Sequence, residues 1–179
     1  MFAKISRSAA IASAGTSSRP IHCGLDAERA ELSGKLGENI VIAGAARFEA
    51  LDGGRLAAYV HPPANKLGVL VNLRGGDDDL GRKLAMHIAA SGPRWIGRED
   101  VPEDAVAAER EIFANSDEVQ SKPEQAREKI VEGMLNKRFF GANVLAEQEW
   151  IHDGSLTVGQ VLSDAGVEVL EFERFSLAG

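Results

Sequence analysis

Leu67-Gly68-Val69-Leu70-Val71-Asn72-Leu73-Arg74-Gly75-Gly76-Asp77-Asp78-Asp79-Leu80 holds a strand, its stop and the start of a helix in one short run. Leu67 to Leu73 reads as a strand because it is an apolar run closed by the turn pair Gly75-Gly76. Asp77 to Asp79 supplies an N-cap and negative charge for a first helical turn. Leu80, Leu84 and Ile88 then repeat at i, i+4, i+8 along one face until Gly92-Pro93 ends the helix. A strand that passes straight into an amphipathic helix announces a sheet with a helix to cover it.

Toward the N-terminus, His61-Pro62-Pro63-Ala64-Asn65 must be a loop, since two prolines remove ladder donors. Arg55 to Val60 is a strand entered through the turn Asp52-Gly53-Gly54. Before it, Ile40-Val41-Ile42 is a β-branched run that also reads as a strand, preceded by Gly37-Glu38-Asn39 and a charged helical stretch from Asp26 to Leu36. These strands are expected to form an antiparallel meander.

Toward the C-terminus, Pro102-Glu103-Asp104 opens a helix carrying Val106, Ile112 and Phe113. Ser121-Lys122-Pro123-Glu124 has capping-box spacing with a proline in the first turn. Ala126, Ile130, Val131, Met134 and Leu135 behind it form the strongest helical stripe in the chain. A short helix follows Thr157, with Val158, Val161 and Leu162 inward and Gly166 as its stop, and a final strand runs over 167–177. Strands, then helices, then a strand give an α+β fold: an antiparallel three- to four-stranded sheet packed on helices.

Composition excludes whole classes of function. Lys plus Arg number 20 against 27 Asp plus Glu, a net charge of −7, which lacks the basic footprint of a general nucleic-acid binder. No apolar run approaches the roughly 18 residues of a spanning helix, so no membrane segment is expected. A single cysteine, Cys23, makes neither an internal disulfide nor a cysteine-based zinc site. Residues 1–25 contain Lys4, Arg7 and Arg19 but no acid, and fit either a divergent, poorly ordered head or a transit-like segment. The folded core is expected over residues 26–179.

No catalytic constellation stands out. His22, His61, His87 and His152 make no HExxH-type pair, and no nucleophile elbow occurs, so neither a resident metal nor an enzyme is expected. Asp77–Asp79 could hold a divalent cation, against the simpler reading of a helix cap. His87, beside the Leu84/Ile88 stripe, reads as a hydrogen-bonded packing histidine. Three loops carry apolar or aromatic groups next to histidines or turns: Leu36-Gly37, His61, and Trp150-Ile151-His152. Such loops suit a protein–protein contact, against the simpler reading of ordinary loop packing.

Taken in order, several segments carry a resemblance. They are Leu36-Gly37-Glu38-Asn39-Ile40-Val41-Ile42, Tyr59-Val60-His61, Leu67-Gly68-Val69-Leu70-Val71, Ala85-Met86-His87-Ile88-Ala89-Ala90, Glu99-Asp100-Val101-Pro102, Lys122-Pro123-Glu124, Lys129-Ile130-Val131-Glu132-Gly133, Thr157-Val158-Gly159-Gln160-Val161-Leu162 and Arg174-Phe175. Together they resemble elongation factor Ts over roughly residues 26–177. The resemblance implies an α+β core and a partner, elongation factor Tu (EF-Tu), bound in its GDP-bound and nucleotide-free states. It implies promotion of GDP-for-GTP exchange in protein synthesis, with no covalent chemistry and no cofactor. Leu36, Gly37, His61, Ile151 and His152 correspond to surface facing EF-Tu. The expected compartment is the cytoplasm, or the mitochondrial matrix if residues 1–25 act as a transit peptide.

The match is to the second core repeat with flanking elements. The family's small N-terminal domain and its first repeat, marked by Thr-Asp-Phe-Val, are expected to be missing, and that segment occurs nowhere in the sequence. Met134 stands where the family usually carries arginine. The alternative expectation is therefore a module that binds EF-Tu, or pairs with itself as a homodimer, without exchange activity.

Overall fold

Val69, Val71 and Leu73 alternate along one strand and are all buried, so this strand has a face that must be covered. In the computed structural model, which describes residues 22–42, 44–50 and 53–177, a helix covers it. The helices in chain order are α1 (His22–Leu36), α2 (Asp78–Ser91), α3 (Glu103–Ala114), α4 (Asp117–Gln120), α5 (Glu124–Met134), α6 (Gly141–Asn143) and α7 (Val158–Asp164). The strands are β1 (Gly54–Val60), β2 (Leu67–Arg74), β3 (Glu149–Trp150), β4 (Asp153–Thr157) and β5 (Glu168–Ser176). An antiparallel sheet has the order β1-β2-β5, and β3-β4 is a small antiparallel pair. This is an α+β fold. The expected head over 1–25 lies outside the described residues as far as residue 21, and α1 begins at His22.

The described residues divide into two compact units, one made of 22–42, 44–47, 60–68 and 175–177, the other of 48–50, 53–59 and 69–174. In the second, α2 lies directly on the strands. A Cβ added at Gly81 would come within 3.0 Å of the Ala57 Cβ and 3.4 Å of a Leu73 methyl, so a larger residue there would push its neighbours apart by a few tenths of an ångström. Leu84, Ala85, Ile88 and Ala89 are buried behind it. Asp77 caps α2 by accepting from the Leu80 N–H at 2.8 Å, and Gly92, at φ +60°, closes it with its N–H on Ile88 O. Arg174 of β5 donates to Ala89 O at 3.2 Å.

A separate apolar cluster holds Trp95, Val101, Val119, Val131, Met134, Leu135, Phe139 and Val144, and α3 packs against it through Ala105, Val106, Phe113 and Ala114. The stripe Val131, Met134, Leu135 points into it as the periodicity requires, and Met134 is a core residue. After α5 the chain passes through a π-helical turn, Leu135–Phe140, which keeps both Leu135 and Phe139 buried. Arg138 grips Glu118 of α4 with two bonds of 2.8 and 3.0 Å, raising its own pKa and lowering that of the carboxylate.

Two expectations fail, each for a local reason. Ile40-Val41-Ile42 is not a strand. The Ile40 N–H donates to Ser33 Oγ at 3.2 Å and its C=O accepts from Arg29 at 3.2 Å, so α1 takes the groups a ladder would need. The third strand of the sheet is instead β5. The capping box over 121–124 does not form either: Ser121 finishes α4 in helical conformation, with its hydroxyl on Glu118 O, and Pro123 stands at the cap. By contrast Thr157 and Gln160 make both bonds of a capping box, at 3.2 and 2.8 Å.

Candidate functional site

Leu36 and Gly37 terminate α1. Gly37 has φ +69° and donates to Ser33 O at 3.0 Å, the left-handed cap that glycine adopts without penalty. It leaves Leu36 64% exposed at the helix end. His61 follows β1, and its backbone is held at both polar atoms: its N–H donates to Leu67 O at 2.9 Å and its C=O accepts from the Asn65 N–H at 3.2 Å. Asn65 takes the left-handed conformation, φ 53°, to close this loop, and the His61 side chain is exposed. Leu36, Gly37 and His61 all belong to the first unit.

Ile151 and His152 belong to the second unit, on the two-residue turn between β3 and β4. Trp150 just before them is buried, and Ile151 is 46% exposed. The His87 ring stacks on Trp150 with centroids 5.3 Å apart, and His152 tilts over the same indole at 4.8 Å. The His152 Nε2–H donates to Lys83 O of α2 at 3.2 Å. His87 is buried, as the sequence suggested, and bonds Gln148 at 2.9 Å. Burial pushes its pKa below the usual imidazole value, the Gln148 bond opposes that, and the nearby His152 adds to it.

Every predicted contact residue thus sits at a turn, and four of the five present side chains to solvent. What sequence reasoning missed is the support under Ile151: His87 and Gln148 lie 64 and three residues away and no spacing motif ties them together.

The acids that open α2 are already engaged within the fold. Asp77 is spent as a cap, Asp78 pairs with Arg55 and Asp79 pairs with Lys83 at 2.6 Å. Among the described residues no group of three His, Cys, Asp or Glu could hold a metal ion. A cavity of about 290 Å³ between α3, α4 and α5 is lined by Arg110 and Arg127, but Arg110 pairs with Glu132 and Arg127 bonds Gln120 and Lys122 O. No described helix is long and apolar enough to cross a membrane.

The family model described as Elongation factor TS matches residues 4–179. The chain is similar to the elongation factor Ts of Deinococcus deserti, 42% identical over 148 residues, which are 83% of this chain and 53% of the relative. It is 46% identical to that of Acidothermus cellulolyticus over 153 residues, 82% of this chain and 53% of the relative. With that of Azotobacter vinelandii it shares 37% over 164 residues, 90% of this chain and 55% of the relative. The chain spans about half the length of the curated relatives it matches. With a family model across almost every residue, and this level of identity along most of the described fold, the chain belongs to the elongation factor Ts family.

Proposed function

We propose that the chain binds EF-Tu, in its GDP-bound and nucleotide-free states, and promotes replacement of GDP by GTP during protein synthesis in the cytoplasm. The observation that carries this reading is the set of three turns at Leu36-Gly37, His61 and Ile151-His152. The first two are closed by backbone hydrogen bonds, the third joins the paired strands β3 and β4, and all three present their contact residues to solvent. Turns already fixed lose little freedom on binding, which favours recognition. The mechanism is differential binding without covalent chemistry, so the chain is not an enzyme. Contacts that favour the nucleotide-free partner must weaken GDP by the same factor, and each ~1.4 kcal/mol of coupling is tenfold in affinity.

A second reading is weighed beside this one. On that reading the chain docks on EF-Tu, or pairs with itself, without opening the nucleotide site. Release of a fluorescent GDP analogue from EF-Tu, alongside a direct binding titration, separates the two. Faster release supports exchange. Binding with unchanged release supports the docking module, and absence of binding overturns both readings that involve EF-Tu.

A further inference from the structure

Beneath the Ile151-His152 turn runs a hydrogen-bond chain whose direction is fixed from one end. Gln148 Nε2 donates to Ala142 O at 2.8 Å, so the amide oxygen Oε1 must face the His87 ring. His87 Nε2 lies 2.9 Å from that oxygen. An amide oxygen only accepts, so Nε2 carries the ring proton and Nδ1 is left as a bare acceptor. The Ile151 N–H points at that Nδ1 from 3.4 Å. Stacking on Trp150, with 25° between the planes, fixes the ring against rotation. Above the indole, His152 is tied to Lys83 O, one helical turn before His87 on α2.

We propose that His87 is a positioning residue for the contact with EF-Tu: as the neutral Nε2–H tautomer, it holds the Ile151-His152 turn in place by accepting the Ile151 N–H at Nδ1. The inference rests on the function proposed above and adds to it a residue that touches no partner. Burial, which disfavours the charged ring, keeps His87 neutral, and the charged or titratable groups near it are consistent with that. His152 stands on the turn, and Lys83 of α2 is neutralised by Asp79. A proton added at Nδ1 would set two donors against each other at the Ile151 amide.

The test uses the full chain and begins with the unsubstituted protein. Nitrogen-15 spectra of the histidine rings at neutral pH are expected to show the Nε2–H tautomer for His87, with slowed hydrogen exchange at the Ile151 amide. An Nδ1–H tautomer or a charged ring overturns the proposal, without any variant having to fold. Two substitutions then divide the ring. His87→Asn keeps an acceptor near the Nδ1 position, whereas His87→Gln keeps a polar group only toward Gln148. His87→Gln should speed exchange at Ile151 and weaken EF-Tu binding by about tenfold, the size of one lost buried hydrogen bond, and His87→Asn should restore much of both. Exchange at Val71 and Leu73 in β2 should stay slow in both variants. Unchanged Ile151 exchange in His87→Gln overturns the proposal. If the unsubstituted chain does not bind EF-Tu, the functional reading fails, and His87 then has no contact to position, while the tautomer still reports whether the brace exists.

Discussion

The turn at Leu36-Gly37 and the turn at Ile151-His152 are held in opposite ways. The first is fastened to its own helix: Gly37 to Ser33, Ile40 to Ser33 and Arg29 to Ile40, none more than 11 residues apart. The second is fastened to α2 through His87 and Lys83, 64 and 69 residues away. A locally fastened turn forms whenever its helix forms, and its strength is that of a helix cap. A remotely fastened turn is as rigid as the core beneath it and shares that core's fate. The difference matters for recognition, because disturbances in the sheet and α2 reach Ile151 through packed groups but meet no such path within the bonds that close Gly37.

The most severe way to break the contrast is Trp150→Ala. It removes a buried indole that both histidines contact, and should cost about 3–5 kcal/mol in denaturant unfolding. Ile151 exchange should rise toward the unprotected rate, with Ile40 exchange unaltered. Equal acceleration at both amides would mean that the two turns share one support.

Acidification comes next. Unfolded, His87 takes up a proton near its ordinary value of 6.5, and in the folded chain that value is lowered, first by burial. The unfolded state therefore binds more protons between the two values. The histidine's contribution is undiminished above about pH 6.5 and is lost as pH falls toward the folded value. Urea midpoints should drop on acidification more steeply for the unsubstituted chain than for His87→Gln, and a parallel pair of curves would refute this assignment.

The smallest effect belongs to the local turn. Gly37→Ala forces a Cβ into the left-handed region, although nothing lies within 4 Å of it, so the cost is backbone strain alone, about 1–2 kcal/mol. It should fray the last turn of α1, seen as faster exchange at Gly37's neighbours, with no change in Ile151. A matching change at Ile151 would erase the distinction between the two turns.

The same distinction separates what was legible in the sequence from what was not. Asp77 as a cap, Gly92 and Gly166 as stops, and the Val131-Met134-Leu135 stripe are local devices, and a single chain displays them. Ile40-Val41-Ile42 misled because β-branched residues state a preference, while the bonds of Ile40 to Arg29 and Ser33 decide the outcome. Ser121 misled for a related reason, since α4 claimed it first. The exposed loops could be singled out by their residue types, and the family resemblance assigned them a role. Nothing in the spacing of His87, Gln148 and Ile151 announces a brace, because the bonds that make it exist only after α2 and the β3-β4 pair have met.

The order β1-β2-β5 also sets a timetable for synthesis. The bonds from Asn72 to Glu171 and from Arg74 to Glu168 join residues 99 and 94 apart, so β2 leaves the ribosome long before the neighbour that completes its sheet. During that interval the α3–α5 cluster, whose partners are close in sequence, can already collapse, whereas β2 waits with one edge unpaired. A nascent chain of this design is most exposed to wrong strand pairing between the emergence of β2 and that of β5, and a pause in that interval would lengthen the danger.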